Sequence, residues 1–162
     1  MMQQFNSWFV NVNAYADMSP DIAIRHQVNQ WLKDRARYNL ELSAWQRLFA
    51  PQSKNSDLLT FIYQRFGRYS GLSFGRVRPR DTFHGDLHFA LVCWHDWVIT
   101  FCEDFYEQFH IDLSDRFDED DFETIGEMIA YLDRQIALEQ EKSNRSTSVC
   151  LQVLPSTTAI AS

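Results

Sequence analysis

The sequence is poor in the residues that make tight turns. It contains five Gly and four Pro in 162 residues, whereas a sheet of many strands needs such residues at most of its connections. Nowhere do about 18 apolar residues follow one another, as a membrane-spanning helix requires. Neither a many-stranded sheet nor a transmembrane segment is therefore expected.

Cysteine is also scarce, and no leader is visible. Cys93, Cys102 and Cys150 lack the spacing of a metal site or of a redox pair. The amino end has no basic segment followed by an apolar run, which a secretory leader would have. These features predict reduced thiols and a cytoplasmic location.

Basic residues become rare in the second half of the chain. Residues 81–142 carry three Lys or Arg against 17 Asp or Glu, a net charge of −14, whereas residues 1–80 carry 11 against five, a net charge of +6. Either the two halves bind each other, or the acidic half is presented to a basic protein partner. Nucleic acid is not expected as a partner, because the acidic half would repel phosphates. A membrane surface is not expected either, since no Lys or Arg precedes Arg25 to meet anionic lipid.

Large apolar side chains, in contrast, are abundant. Hydrophobic residues make up 45% of the chain and include thirteen Phe, five Trp and six Tyr, enough for one moderate core. The clearest pattern lies in a helix predicted over residues 89–110. Trp97, Phe101, Phe105 and Phe109 recur every four residues, so they share one face of a helix. The same apolar face is expected to hold Val98, Cys102 and Tyr106, and the opposite face Asp96, Thr100, Glu103, Glu107 and His110.

Further helices are predicted on both sides of this one. Residues 20–50 fit two helices or one bent helix, beginning at a cap by Ser19, and Ser56 caps another helix that ends at Tyr69. Thr124 and Glu127 form a capping box that opens a last helix. The apolar side of that helix is expected to hold Ile125, Met128, Ile129, Leu132 and Ile136. Before the helix, Phe117 and Phe122 are expected to anchor the acidic segment in the core. The basic side chains expected to face water are Arg25, Lys33, Arg35, Arg37 and Arg47.

The fold class predicted from these patterns is all-α. We expect a helical N-terminal extension over residues 1–52, including a short docking element near residues 5–12, and a helical bundle over residues 53–142. Residues 143–162 are rich in Ser and Thr and are expected to form a disordered tail, with a short strand as the alternative.

Three segments follow one another in a characteristic order: Asp81-Thr-Phe-His-Gly-Asp-Leu87, Phe105-Tyr-Glu-Gln-Phe-His-Ile-Asp-Leu113 and Thr124-Ile-Gly-Glu-Met-Ile-Ala-Tyr-Leu132. Their order and spacing resemble the acyl carrier protein family, over residues 56–136. The layout is closer still to that of small bacterial carrier-like proteins. The resemblance implies that residues 53–142 form an acyl-carrier-like four-helix bundle.

The sequence departs from this family at the position that matters most for function. Carrier proteins attach phosphopantetheine to a serine at the start of the second helix, and that position is Leu91 counted from Asp86-Leu87, or His95 counted back from Phe109. No serine occurs between Ser73 and Ser114. We therefore expect a carrier-like scaffold without a cofactor, which acts as a non-enzymatic protein-interaction module. The resemblance places its partner surface on Asp96, Glu103, Glu107, Asp118, Glu119, Asp120, Asp121 and Glu123, facing a basic protein.

An enzymatic alternative rests on the loop around Asp86. The run His84-Gly-Asp-Leu-His88 resembles the catalytic loop of small-molecule phosphotransferases, but Leu91 stands where their metal-binding Asn would be, and no phosphate-binding loop precedes it. His84 and His88, with His95, could instead form a zinc site that assists hydrolysis. The ordinary interpretation is that Asp86 closes a structural loop and that these histidines are solvated. The run 118–121 also lacks the ligand spacing of a calcium loop, so no metal is predicted.

Overall fold

The regular elements of the described part of the chain are all helices. A computed structural model describes residues 19–151, with side chains described as far as residue 146. Within these residues there is no β-strand, only one isolated bridge between Thr82 and Thr124. The helices are α1 (Ile22–Asp34), α2 (Leu42–Phe49), α3 (Ser56–Ser70), α4 (Phe89–Val92), α5 (Trp97–Phe109) and α6 (Ile125–Leu151), with 3₁₀ helices at Phe74–Arg76 and Glu119–Asp121. The all-α prediction is confirmed, whereas the element predicted near residues 5–12 lies outside the described residues.

Two helices start at different caps from those predicted. Asp21, not Ser19, caps α1, because its Oδ1 accepts a hydrogen bond from the amide of Ile24 at 3.0 Å. Asn55, not Ser56, caps α3, and its Oδ1 accepts from the amides of Asp57 and Leu58 at 3.0 and 3.1 Å. In both cases the capping residue has an extended backbone, which aims its side chain at the free amides of the first turn.

The N-terminal helices share one core with the rest of the chain. Trp45 of α2 stacks on Phe49 with ring centroids 4.0 Å apart, and its ring also meets Tyr63 and Phe74 at 5.4 and 5.8 Å. Val28 and Leu32 of α1 and the rings of Trp45 and Phe49 belong to the same buried cluster as the later helices. The predicted division at residue 52 therefore separates two segments that share one core.

The helix predicted over residues 89–110 is broken in the structure. It forms α4 and α5, and residues 93–96 between them are not helical. In an unbroken helix the carbonyl of Val92 would accept the amide of Asp96. Instead, Arg25 of α1 donates to that carbonyl from Nη2 at 2.6 Å and from Nε at 3.2 Å. Arg25 is thus half-buried and structural. Arg37 is half-buried as well, because it pairs with Asp81 at 2.6 Å, so the expectation that these two side chains face water is corrected.

A glycine makes the approach of Arg25 possible. Gly71 follows α3 with a left-handed backbone, φ 65°, which a side chain would strain. A Cβ at this position would lie 2.7 Å from Cδ of Arg25, so any larger residue would push the guanidinium away from Val92.

The last helix is the longest. Its capping box is confirmed: the amide of Glu127 donates to Oγ1 of Thr124, and the amide of Thr124 donates to Oε2 of Glu127, both at 3.2 Å. The predicted apolar side and anchors, Phe117, Phe122, Ile125, Met128, Ile129, Leu132 and Ile136, are all buried. The helix passes the predicted boundary at 142 and continues to Leu151, where a disordered tail or a strand was expected. Residues 152–162 lie outside the described residues.

The two faces of α5 largely follow the prediction. Trp97, Phe101, Cys102 and Phe105 are buried, and Val98 and Phe109 pack against the core. Tyr106 departs from it, because its side chain is exposed. No helix in the described residues is long and apolar enough to cross a membrane.

Candidate functional site

The predicted acidic surface begins with the outer face of α5. Asp96, Glu103 and Glu107 are exposed there. Two large apolar side chains share this face: Ile99 is 64% exposed and Tyr106 is 56% exposed. They lie seven residues apart, about 10 Å along the helix, with Glu103 between them. The face is therefore a stripe of apolar side chains bordered by carboxylates.

A further carboxylate of α5 points towards the core side and is structural. Asp104 is half-buried and lies 3.2 Å from Nη1 of Arg65 on α3. It also accepts a short hydrogen bond from the hydroxyl of Tyr69. Burial, and then the hydrogen bond to Asp104, raise the pKa of Tyr69, so this phenol stays protonated. Asp104 thus joins α5 to α3 and is not part of the outer acidic face.

The acidic segment, residues 118–123, precedes α6. Phe117 and Phe122 are buried on either side of the 3₁₀ helix Glu119–Asp121, so the carboxylates between them are held at the surface. Oδ1 of Asp118 accepts from the amide of Asp120 at 3.0 Å. The predicted surface residues Asp118, Asp120, Asp121 and Glu123 are exposed, whereas Glu119 is half-buried. Burial, and then the neighbouring carboxylates, raise the pKa of Glu119.

Histidines connect the acidic segment to the amino end of α5. Nε2 of His84 lies 3.0 Å from Oδ1 of Asp120. Both His84 and His95 act electrostatically on Glu119, and His95 immediately precedes Asp96. Glu107, in contrast, is eleven residues further along α5 than Asp96, about 16 Å away along the axis. The structure therefore brings the acidic segment close to one end of the α5 face and not to the other.

Comparison with known proteins adds no relative. No protein-family model matches this chain, and no curated protein or solved structure matches it.

The two attachment positions that the resemblance to carrier proteins predicts are both near the helix break. Leu91 is in α4 and is 50% exposed, and His95 is exposed between α4 and α5. Neither side chain has a hydroxyl group. Trp94, also exposed, lies between them and lines a groove of about 280 Å³ with Asp96, Asp104 and other residues of α3 and α5.

The loop that suggested an enzyme is held by Thr82 and Asp86. Oδ2 of Asp86 accepts from the amide and the hydroxyl of Thr82 at 2.9 and 3.0 Å, and the amide of Asp86 donates to Oγ1 of Thr82 at 2.9 Å. His88 has a left-handed backbone, φ 49°, and is exposed. His84 and His88 lie in this loop and do not share a helix. Among the described residues no three metal-ligating side chains form a cluster.

The described cysteines lie in apolar surroundings. Cys93 and Cys102 are both buried, as the helix pattern predicted for Cys102. Burial raises the pKa of both thiols, which opposes formation of the reactive thiolate.

Sequence reasoning missed the apolar members of the α5 face. Ile99 and Tyr106 are seven residues apart and three or four residues from Glu103, so the same helical count that placed Glu103 outside also places them there. The buried aromatic residues dominated the pattern, and Tyr106 was assigned to the inner face because it is apolar.

Proposed function

We propose that this protein is a non-enzymatic interaction module that binds a basic protein partner through the outer face of α5. One observation carries the proposal: Ile99 and Tyr106 are exposed between Asp96, Glu103 and Glu107, which form no ion pair with the described residues. Their charges are therefore available to a partner. The acidic segment extends the surface at the amino end of α5.

The composition of this face fits a protein interface better than a solubilising surface. Isolated apolar side chains at a surface are ordinary, but two that are aligned on one helix beside three carboxylates offer both burial and orientation. The matching partner carries Lys or Arg around apolar side chains that cover Ile99 and Tyr106. Buried apolar anchors would supply most of the affinity, and the carboxylates would accelerate association.

The proposal includes a carrier-like scaffold that carries no prosthetic group. It is supported by the order of α3, α5 and α6, with an acidic helix at the centre, and by Leu91 and His95 at the two candidate attachment positions. Transfer of a phosphopantetheine arm requires a hydroxyl nucleophile. Incubation with a phosphopantetheinyl transferase and coenzyme A should therefore leave the intact mass unchanged. A mass gain equal to the arm would contradict this part of the proposal.

The partner surface is tested by comparing captured proteins between variants. The wild-type chain, Glu103→Lys/Glu107→Lys and Ile99→Ala/Tyr106→Ala are immobilised and exposed to extract from the source cells. The control is Glu141→Lys, an exposed charge reversal on α6 that disturbs only a surface pair at 3.9 Å. We expect a protein held by the wild type and the control but lost from both α5 variants, and released by added salt. Identical capture by all four proteins would refute the assigned surface.

A second candidate function is an enzyme that uses His84, Asp86 and His88. The supporting observation is a cavity of about 230 Å³ between α1 and this loop, lined by Gln27, Trp31, Gly85, Asp86 and His88 among others. Asp86→Asn preserves the shape of the side chain and removes the general base. If the purified protein shows phosphotransfer or hydrolysis that this substitution abolishes, the enzymatic interpretation replaces the first one.

A further inference from the structure

A cluster of four arginines lies where the turn after α1 meets the loop that contains the 3₁₀ helix Phe74–Arg76. We call Arg35, Arg37, Arg76 and Arg78 the arginine cluster. Arg35 is exposed, and the other three are half-buried. None of these four residues belongs to the acidic face of α5.

Backbone carbonyls hold three of these side chains in fixed positions. Arg37 donates to the carbonyl of Arg76 at 3.3 Å, and Arg76 donates in return to the carbonyl of Arg37. Arg78 donates to the carbonyls of Gly75 and Tyr38 at 2.9 and 3.0 Å. The guanidinium groups are thus positioned before any ligand arrives, which lowers the entropy lost on binding.

The cluster holds more positive charge than its surroundings neutralise. Among the described residues, the one carboxylate within ion-pair distance of it is Asp81, whose Oδ2 lies 2.6 Å from Nη1 of Arg37. Burial, and then the neighbouring charge of Arg37, lower the pKa of Arg78. Carbonyl oxygens carry only partial charge, so four guanidinium groups share one full negative charge. Partly buried like charges repel each other, and an added anion would relieve that repulsion.

Trp31 connects the cluster to the cavity beside α1. The guanidinium carbons of Arg35 and Arg37 lie 4.8 and 5.2 Å from the centre of its ring, so both groups are fixed beside one aromatic side chain. The same tryptophan lines the cavity of about 230 Å³ next to Gly85 and His88. A molecule whose anionic end contacts the arginines has space for its remaining part on the side of Trp31.

We propose that the arginine cluster binds a phosphate group, either the free ion or the monoester of a small molecule. Planar guanidinium groups match the oxygens of phosphate and bind them through paired, charge-assisted hydrogen bonds. The site involves α1 and the loop before Asp81, and it does not depend on the function proposed for α5.

The test is a titration with inorganic phosphate, and in parallel with adenosine monophosphate, at constant ionic strength maintained with chloride. Binding is followed by the NMR signals of the arginine Nε–H groups and of the Trp31 indole. The variant is Arg35→Gln, because Arg35 is exposed, and the control is Arg47→Gln, an exposed arginine at the end of α2. Loss of one charge-assisted contact should weaken binding about tenfold or more.

Each outcome decides the proposal. The proposal is supported if the shifts saturate and are confined to the arginine cluster and Trp31. Arg35→Gln should then weaken the binding that they report, and Arg47→Gln should leave it unchanged. Tighter binding of the monophosphate assigns the site to monoesters, and tighter binding of phosphate assigns it to the free ion. Shifts that do not saturate, or that respond equally to the two substitutions, overturn the proposal, since general screening of charge would produce them.

Discussion

Replacing Asp81 by Asn should destabilise the protein far more than a surface substitution does. The Asp81 side chain is 4% exposed and that of Arg37 is 15% exposed. Oδ2 of Asp81 accepts from Nη1 of Arg37 at 2.6 Å and from the amide of Arg78 at 2.7 Å. Its backbone carbonyl also accepts from the amide of Ile125 at 3.0 Å. Asp81 thus links the turn after α1, the loop that precedes Asp81 and the start of α6.

The magnitude follows from the burial of both partners. Breaking a buried ion pair by changing one member costs about 3–5 kcal/mol, because the other charge is left without compensation. Asn keeps the shape and one acceptor oxygen, so we expect the lower end, about 3 kcal/mol. For a chain of this size that corresponds to a decrease of roughly 6–12 °C in the thermal midpoint.

The measurement is chemical unfolding of the wild type, Asp81→Asn, Arg37→Gln and the double variant. Because each single change leaves one charge unpaired, the double variant should lose clearly less free energy than the sum of the two, with a coupling of about 1–3 kcal/mol. A loss below about 0.5 kcal/mol for Asp81→Asn, which is typical of surface changes, would refute the reasoning. Strict additivity would show that the pair does not interact.

Three further predictions concern the core, the thiols and the charge division. Phe101→Ala should cost about 3–5 kcal/mol of unfolding free energy, whereas Thr100→Ala on the exposed face should stay within about 0.5 kcal/mol; equal losses would mean that the helix phase is wrong. Because burial raises the pKa of Cys93, little of its thiol is ionised at about pH 8. The alkylation rate of Cys93, measured from the mass of its peptide, should therefore be much lower in the native protein than in denaturant. A fragment of residues 53–142 should have a lower thermal midpoint than the full chain, because it lacks the fully buried Trp45 and Phe49; if the midpoints agree at low and moderate salt, the N-terminal helices contribute nothing to the core.

Local patterns in the sequence predicted the helices but not how they are interrupted. The apolar spacing of α6 and the capping box at Thr124 depend on residues within two turns of each other, so the sequence alone contains that information. At the break, the carbonyl of Val92 is bonded to Arg25, which is 67 residues away along the chain. No local sequence pattern indicates such a contact. The apolar spacing also continues across the break, because Phe89 and Val92 are buried as Trp97 is.

The candidate site was predicted only in part for a similar reason. Periodicity placed Glu103 and Glu107 at the surface correctly, since charge and helix phase agree at these positions. It could not show that Asp104 is held by Arg65 and Tyr69 on another helix. The caps were missed because Ser19 and Ser56 are as suitable locally as Asp21 and Asn55, and the backbone direction at the helix start decides between them.

The hydrogen bonds from Arg25 to Val92 also make one part of the surface depend on a distant part of the chain. They join residues 67 apart, so the entropy of closing a long loop opposes their formation. Arg25 occupies the carbonyl that an unbroken helix would use for Asp96. The exposed Leu91 and Trp94 lie on either side of Val92 in the sequence, so the directions of these two side chains depend on a contact from α1.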